Sequence, residues 1–168
     1  GFERLKINTV VQRGVNDHTI MSLLDHFRGT PHLVRLIEYM DVGNSNHWSE
    51  HDVVPNADWV STIGRRWPIR PLNPANPAET ARRYEYLDGQ GEIGFISSIS
   101  QPFCGGCTRA RVTADGQFYT CLFSNPGTNL MPPIRQDENP QELLSRIAAV
   151  WADRSDRYSE RRGQVGRE

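Results

Sequence analysis

Cysteine is scarce in this 168-residue chain, which holds only Cys104, Cys107 and Cys121. An odd count excludes a framework built purely of disulfides, because one thiol is left over. Long apolar runs are missing as well. None approaches the roughly 20 residues a membrane helix needs, and no signal-peptide pattern opens the chain. A cytoplasmic protein with no membrane partner is the expectation. No sign of charge dominates: 19 Lys and Arg against 20 Asp and Glu give a net charge of −1, so a nucleic-acid partner is not expected either. Among the basic residues lysine is nearly absent, Lys6 standing alone among arginines. That bias reads as codon composition, and against it position 6 hints at a need for an ammonium group. Histidine stops at His51.

What remains is ordinary for a globular protein, with 37% hydrophobic and 23% charged residues. The length suffices for one domain with a core and part of a second. "RLKINTVVQ" (4–12) alternates like a strand. "NDHTIMSLLDHFRG" then spaces Ile20, Leu23, Leu24 and Phe27 as a helix does, with Asn16 or Asp17 as cap and Gly29 and Pro31 as stop. "HLVRLIEYMDV" (32–42) reads as a second strand, so a βαβ unit with parallel strands is predicted. In such folds function gathers at the carboxyl ends of strands, where Met40 and Asp41 fall; period two places Glu38 with Met40, opposite Ile37 and Tyr39.

A polar loop, "GNSNHWSEHD", leads to a helix after Pro55 that uses Trp59, Val60, Ile63 and Trp67. "PIRPLNPANP" marks a change of architecture. Two hairpins follow, "RRYEYL" with "EIGFISSIS" across "DGQG", and "RARVT" with "FYTCLF" across "ADGQ". "NPQELLSRIAAVWADR" is a final helix capped by Asn139, with Pro140 in its first turn and Leu143, Leu144, Ile147 and Trp151 along one side. The charged residues beyond it read as a mobile tail. The chain opens on Gly1 and a strand at once, and is read as the C-terminal piece of something longer.

All three cysteines lie in "QPFCGGCTRARVTADGQFYTCLFS", a C-x2-C-x13-C array. The glycine pair relieves crowding beside a bulky ligand, and the second hairpin returns Cys121 toward Cys107. A closed zinc site wants four donors, and here His47 or His51 would have to be recruited through the fold. Three structural cysteines without a ligand, or a redox pair plus a bystander, are further readings. An iron–sulfur cluster is the remaining one; with three thiolates it keeps one iron open to a substrate. Arg109 and Arg111, two apart on a strand, would point to one side and suit carboxylate or phosphate oxygens, unless they form a solvated strand face.

With "KINTVVQRGVND" and "EYMDVGNSN", the cysteine segment resembles the C-terminal half of the GTP 3′,8-cyclase family, the molybdenum cofactor biosynthesis A proteins, from about residue 4 to about residue 158. The C-x2-C-x-R-x-R continuation is far more specific than cysteine spacing alone. The resemblance implies a radical S-adenosylmethionine (SAM) enzyme that converts GTP to 3′,8-cyclo-7,8-dihydro-GTP. The product would pass to the next enzyme of the pathway, cyclic pyranopterin monophosphate synthase. It implies Cys104, Cys107 and Cys121 as ligands of a second 4Fe–4S cluster, Lys6, Arg109 and Arg111 as GTP contacts, and Met40 beside SAM. No C-x3-C-x2-C occurs here, so the first 4Fe–4S cluster, which cleaves SAM, belongs to an N-terminal part of the same protein. No glycine pair like the family's C-terminal one occurs in "RRGQVGRE".

The fold expected on this basis is α/β: the last βαβ portion of an incomplete radical SAM (β/α) barrel over residues 1–46, a mostly β cluster-binding domain over 47–158, and a mobile tail over 159–168. The competing readings are a non-catalytic zinc or electron-relay iron–sulfur module, and another radical SAM enzyme with an auxiliary cluster.

Overall fold

A computed structural model describes residues 1–42, 47–136 and 139–162, so "GNSN" and the tail from 163 onward lie outside the described residues. The chain divides into two units, Gly1–Phe103 and Cys104–Glu168.

In the first unit β1 (Lys6–Val11) and β2 (Leu33–Glu38) run parallel, in register from Lys6 opposite Leu33 to Val11 opposite Glu38. Helix α1 (Ile20–Phe27) crosses between them and buries Ile20 and Leu24, one turn apart. Asn16 does not cap it. Its Oδ1 accepts from Gln12 N at 2.9 Å and its Nδ2 donates to Val10 O at 2.8 Å, closing the turn after β1 instead. The side chain meets those groups first, and a 3-10 turn, Asp17–Thr19, intervenes before the helix. Gly29, at φ 80°, ends the crossover.

Helix α2 (Asn56–Arg66) buries Trp59 and Ile63, and Trp67 closes its C-terminus. The proline-rich stretch holds a short strand that its composition conceals. Ile69–Pro71 forms β3, antiparallel to β4 (Arg82–Tyr86), at a sheet edge where proline is tolerated. The β4–β5 hairpin forms as its turn chemistry predicts, with β5 spanning Glu92–Ile96. β5 also lies parallel beside β2, Val34 opposite Ile93, giving one mixed sheet in the order β1-β2-β5-β4-β3. Its core is Val11, Leu36, Ile93 and Phe95 packed with Ile20, Leu24, Trp59 and Ile63.

The second unit holds a small antiparallel sheet of β6 (Arg111–Val112), β7 (Gln117–Tyr119) and β8 (Thr128–Asn129). The β6–β7 turn needs its glycine: Gly116 has φ 81°, and a Cβ there would clash with Met131 Cγ. Among the described residues three helices follow, α3 (Met131–Arg135), α4 (Pro140–Ala152) and α5 (Tyr158–Arg161). Asn139 caps α4, accepting from Gln141 N at 2.9 Å. The stripe expected on α4 is only partly covered. Leu143, Ile147 and Trp151 are half-buried, whereas Leu144 is 57% exposed, since it lies about 100° round the helix from Leu143. Residues 159–161 of the expected tail are helical. Among the described residues no helix is long and apolar enough to cross a membrane.

Candidate functional site

Cys104 opens a 3-10 turn, Cys104–Gly106, which Cys107 N closes by donating to Cys104 O at 3.2 Å. The Cys121 loop leaves β7 and folds on itself: Cys121 N donates to Ser124 Oγ at 3.0 Å, and Phe123 N to Cys121 Sγ at 3.5 Å. All three cysteines are free thiols and all are half-buried.

Cationic groups bear on one of them. Arg109 Nε donates to Cys107 Sγ at 3.5 Å, and Arg154 Nη1 donates to Cys107 O at 2.5 Å. Burial pushes the Cys107 thiol up, but hydrogen bonds from the Arg109 backbone and guanidinium, with the charges of Arg109 and Arg154, outweigh it and hold the thiol below its ordinary range. The thiolate, the form that ligates metals, is thereby favoured.

The two motif arginines do not share a strand. β6 starts at Arg111, so the period-two reason for placing both on one side does not reach Arg109, which turns back to the Cys107 sulfur. Arg111 is half-buried on β6 opposite Tyr119. Lys6 is exposed at the start of β1, and Met40, half-buried, stands two residues beyond β2. Both belong to the first unit; the cysteines, Arg109 and Arg111 belong to the second.

One polar centre was not foreseen. Glu38, at the carboxyl end of β2, is fully buried and its carboxylate accepts four hydrogen bonds. Asn56 N (2.9 Å) and Ser100 Oγ (2.5 Å) donate to Oε1, and Ile99 N (2.9 Å) and Ser100 N (2.8 Å) donate to Oε2. Asn56 Nδ2 donates in turn to Ser97 Oγ at 3.1 Å. The end of β2, the start of α2 and the turn after β5 are thus tied at one carboxylate. The available signal was the parity of β2, which puts an acid in line with Val34 and Leu36 on the buried face.

The comparisons with known proteins bear on the same segment. The sequence model of the family described as Molybdenum Cofactor Synthesis C matches residues 32–160. The chain belongs to that family. It is 49% identical over 167 residues to a GTP 3′,8-cyclase of Xanthomonas campestris pv. campestris (strain B100), covering 99% of this chain and 49% of the relative. A GTP 3′,8-cyclase of Synechococcus sp. (strain CC9605) is 50% identical over 158 residues, which are 94% of this chain and 44% of that one. One of Acidothermus cellulolyticus is 47% identical over 166 residues, covering 96% and 46%. The chain spans about half the length of the curated relatives it matches, and corresponds to their C-terminal portion.

The donor set can be weighed against the groups these residues might hold. A closed zinc site gathers four donors round one ion. Among the described residues no three His, Cys, Asp or Glu side chains converge in that way. Three free thiols on two loops, one of them made more acidic than usual, are of the chemical type that ligates an iron–sulfur cluster. A Cβ on Gly106, next to Cys107, would meet nothing within 4 Å.

Proposed function

We propose that the complete protein is a GTP 3′,8-cyclase of molybdenum cofactor biosynthesis, and that this portion carries its second 4Fe–4S cluster and part of its GTP site. The observation that carries the reading is the Cys107–Arg109 contact, within a three-cysteine unit of a chain about half identical to GTP 3′,8-cyclases along nearly its whole length. Cys104, Cys107 and Cys121 are the ligands. When bound, the cluster supplies one iron without a protein ligand, open to a nitrogen or oxygen of the substrate. Arg109 neutralises thiolate charge at Cys107, and with Arg111 presents guanidinium groups for the oxygens of GTP. Lys6 serves GTP and Met40 serves SAM from the first unit, whose sheet is the closing part of a radical SAM barrel. SAM and a first 4Fe–4S cluster act on the N-terminal part, so the 168 residues alone do not cleave SAM.

Anaerobic reconstitution of the complete protein tests the reading. Replacing Cys104, Cys107 and Cys121 together by serine is expected to remove about four irons and four sulfides per chain, the content of one cubane. Stoichiometric zinc without sulfide at these cysteines overturns the cluster. Arg109→Ala or Arg111→Ala is expected to weaken GTP binding about tenfold or more with iron content intact, since a charge-assisted hydrogen bond is lost. Lost iron with unchanged GTP affinity would assign the arginines to the cluster alone.

A further inference from the structure

We propose that Arg154, Asp156 and Glu160 are positioning residues, and that Asp153–Arg162 is a strap fixing each cysteine loop in place before any ligand binds. The proposal rests on the reading that the three cysteines serve one ligand.

Each loop is held by a different residue of this short stretch. Arg154 Nη1 donates to Cys107 O at 2.5 Å, with its guanidinium 4.4 Å from the centre of the Trp151 ring on α4. Asp156 takes the Cys121 loop from both sides. Thr120 Oγ donates to its Oδ2, and Ser124 Oγ donates to its Oδ1 at 3.3 Å. Glu160 takes the Cys104 turn, accepting from Gly105 N at 3.3 Å, while its other oxygen pairs with Arg157 Nε at 3.3 Å. Phe123, two residues beyond Cys121, stacks on Tyr158 with ring centres 4.1 Å apart.

An independent observation concerns the glycine after Cys104. A Cβ on Gly105 would lie 2.9 Å from Arg157 Nη2. That atom is the movable end of a long side chain, so glycine there eases the strap's approach, whereas Gly106 has nothing within 4 Å. The two glycines therefore differ in their surroundings: one lies against the strap and the other faces open space. Loops of this kind have little apolar burial to order them, and a ligand that must order its own loops binds more weakly than one meeting loops already set. By this route the strap raises affinity for the ligand without touching it.

Site-resolved alkylation of the reduced, iron-free full chain by N-ethylmaleimide reads the strap directly. Asp156→Ala is expected to raise the rate at Cys121 about tenfold while Cys104 stays within about twofold, and Glu160→Ala to do the reverse, on the scale of one or two lost hydrogen bonds. Thr120→Val removes a bond to Asp156 from the loop side and is expected to reproduce the selective rise at Cys121. After reconstitution, both strap variants are expected to lose iron to a chelator faster than the unaltered chain. A uniform rise at all three cysteines in Asp156→Ala and Thr120→Val alike, or no rise in either, overturns the strap. Failure of the unaltered chain to take up iron would instead remove the cluster, leaving the thiol pattern to judge the strap.

Discussion

The two units are stabilised by different means. The first buries Leu36, Ile63, Ile93 and Phe95 almost completely within a five-stranded sheet and its helices. Among the described residues of the second, only Phe118, Leu130 and Pro133 are buried apolar side chains, and α4 buries none. Its cysteine loops are held by hydrogen bonds, an ion pair and one ring stack. A unit with so little apolar burial lacks the usual source of stability, and a bound ligand commonly supplies the rest. Weak burial and all three thiols fall in the same unit, so the first unit is the better packed of the two and the second is where the proposed ligand would add stability.

That contrast can be broken by truncation. Phe95→Ala is expected to destabilise the first unit by roughly 3–5 kcal/mol, because a fully buried ring leaves a cavity. Leu144→Ala on α4 is expected to change stability by less than about 0.5 kcal/mol, as an exposed side chain does. Urea titration of the full chain, followed by tryptophan fluorescence and circular dichroism, separates the two. Comparable losses would erase the distinction between the units.

Glu38 sharpens the comparison, because it is the polar exception inside the apolar unit. Glu38→Ala strands four donors, three of them backbone N–H groups, and is expected to cost about 3 kcal/mol. Denaturant midpoints measure it. A loss below about 1 kcal/mol would mean that water replaces the carboxylate, and that the tie between β2, α2 and the turn after β5 is dispensable.

The smallest effect concerns pH. Burial pushes the Tyr86 hydroxyl up to about 12 from an ordinary value near 10, against the opposing charge of Arg28. Above pH 10 the unfolded chain loses this proton while the folded chain keeps it. Stability is therefore fully present below pH 10 and falls as pH rises through 12. Between pH 9 and 11 the loss attributable to this group is roughly 1 kcal/mol. Tyr86→Phe is expected to flatten that part of the stability profile; an unchanged slope would place the alkaline titration elsewhere.

Local pattern carried much of the fold. Alternation in "KINTVV", helical spacing through Ile20 and Leu24, and the Asp88-Gly89 and Asp115-Gly116 turns each act over a few residues, so they are visible in sequence. Pairing across long separations is not. Nothing local in "EIGFI" says that it lies beside β2, and nothing in "PIRP" overrides the two prolines that hide β3. At the candidate site the cysteine turn was legible from C-x2-C with glycines. The Arg109 contact was not, because a strand was assumed where the backbone is irregular. Glu38 and Asp156 stayed hidden for a different reason: parity puts Glu38 on the buried face of β2, but the distant backbone groups and hydroxyls that hold each carboxylate leave no local trace.

Chain order gives the contacts of Arg154, Asp156 and Glu160 one more consequence. All three follow Cys121, so on the ribosome the thiols emerge before the groups that hold them. A nascent chain displays every cysteine while its loops are still unsupported and open to oxidation or to a stray metal. Ordering of the cysteine loops therefore waits on synthesis of the stretch from Arg154 to Glu160, and not on the appearance of the thiols.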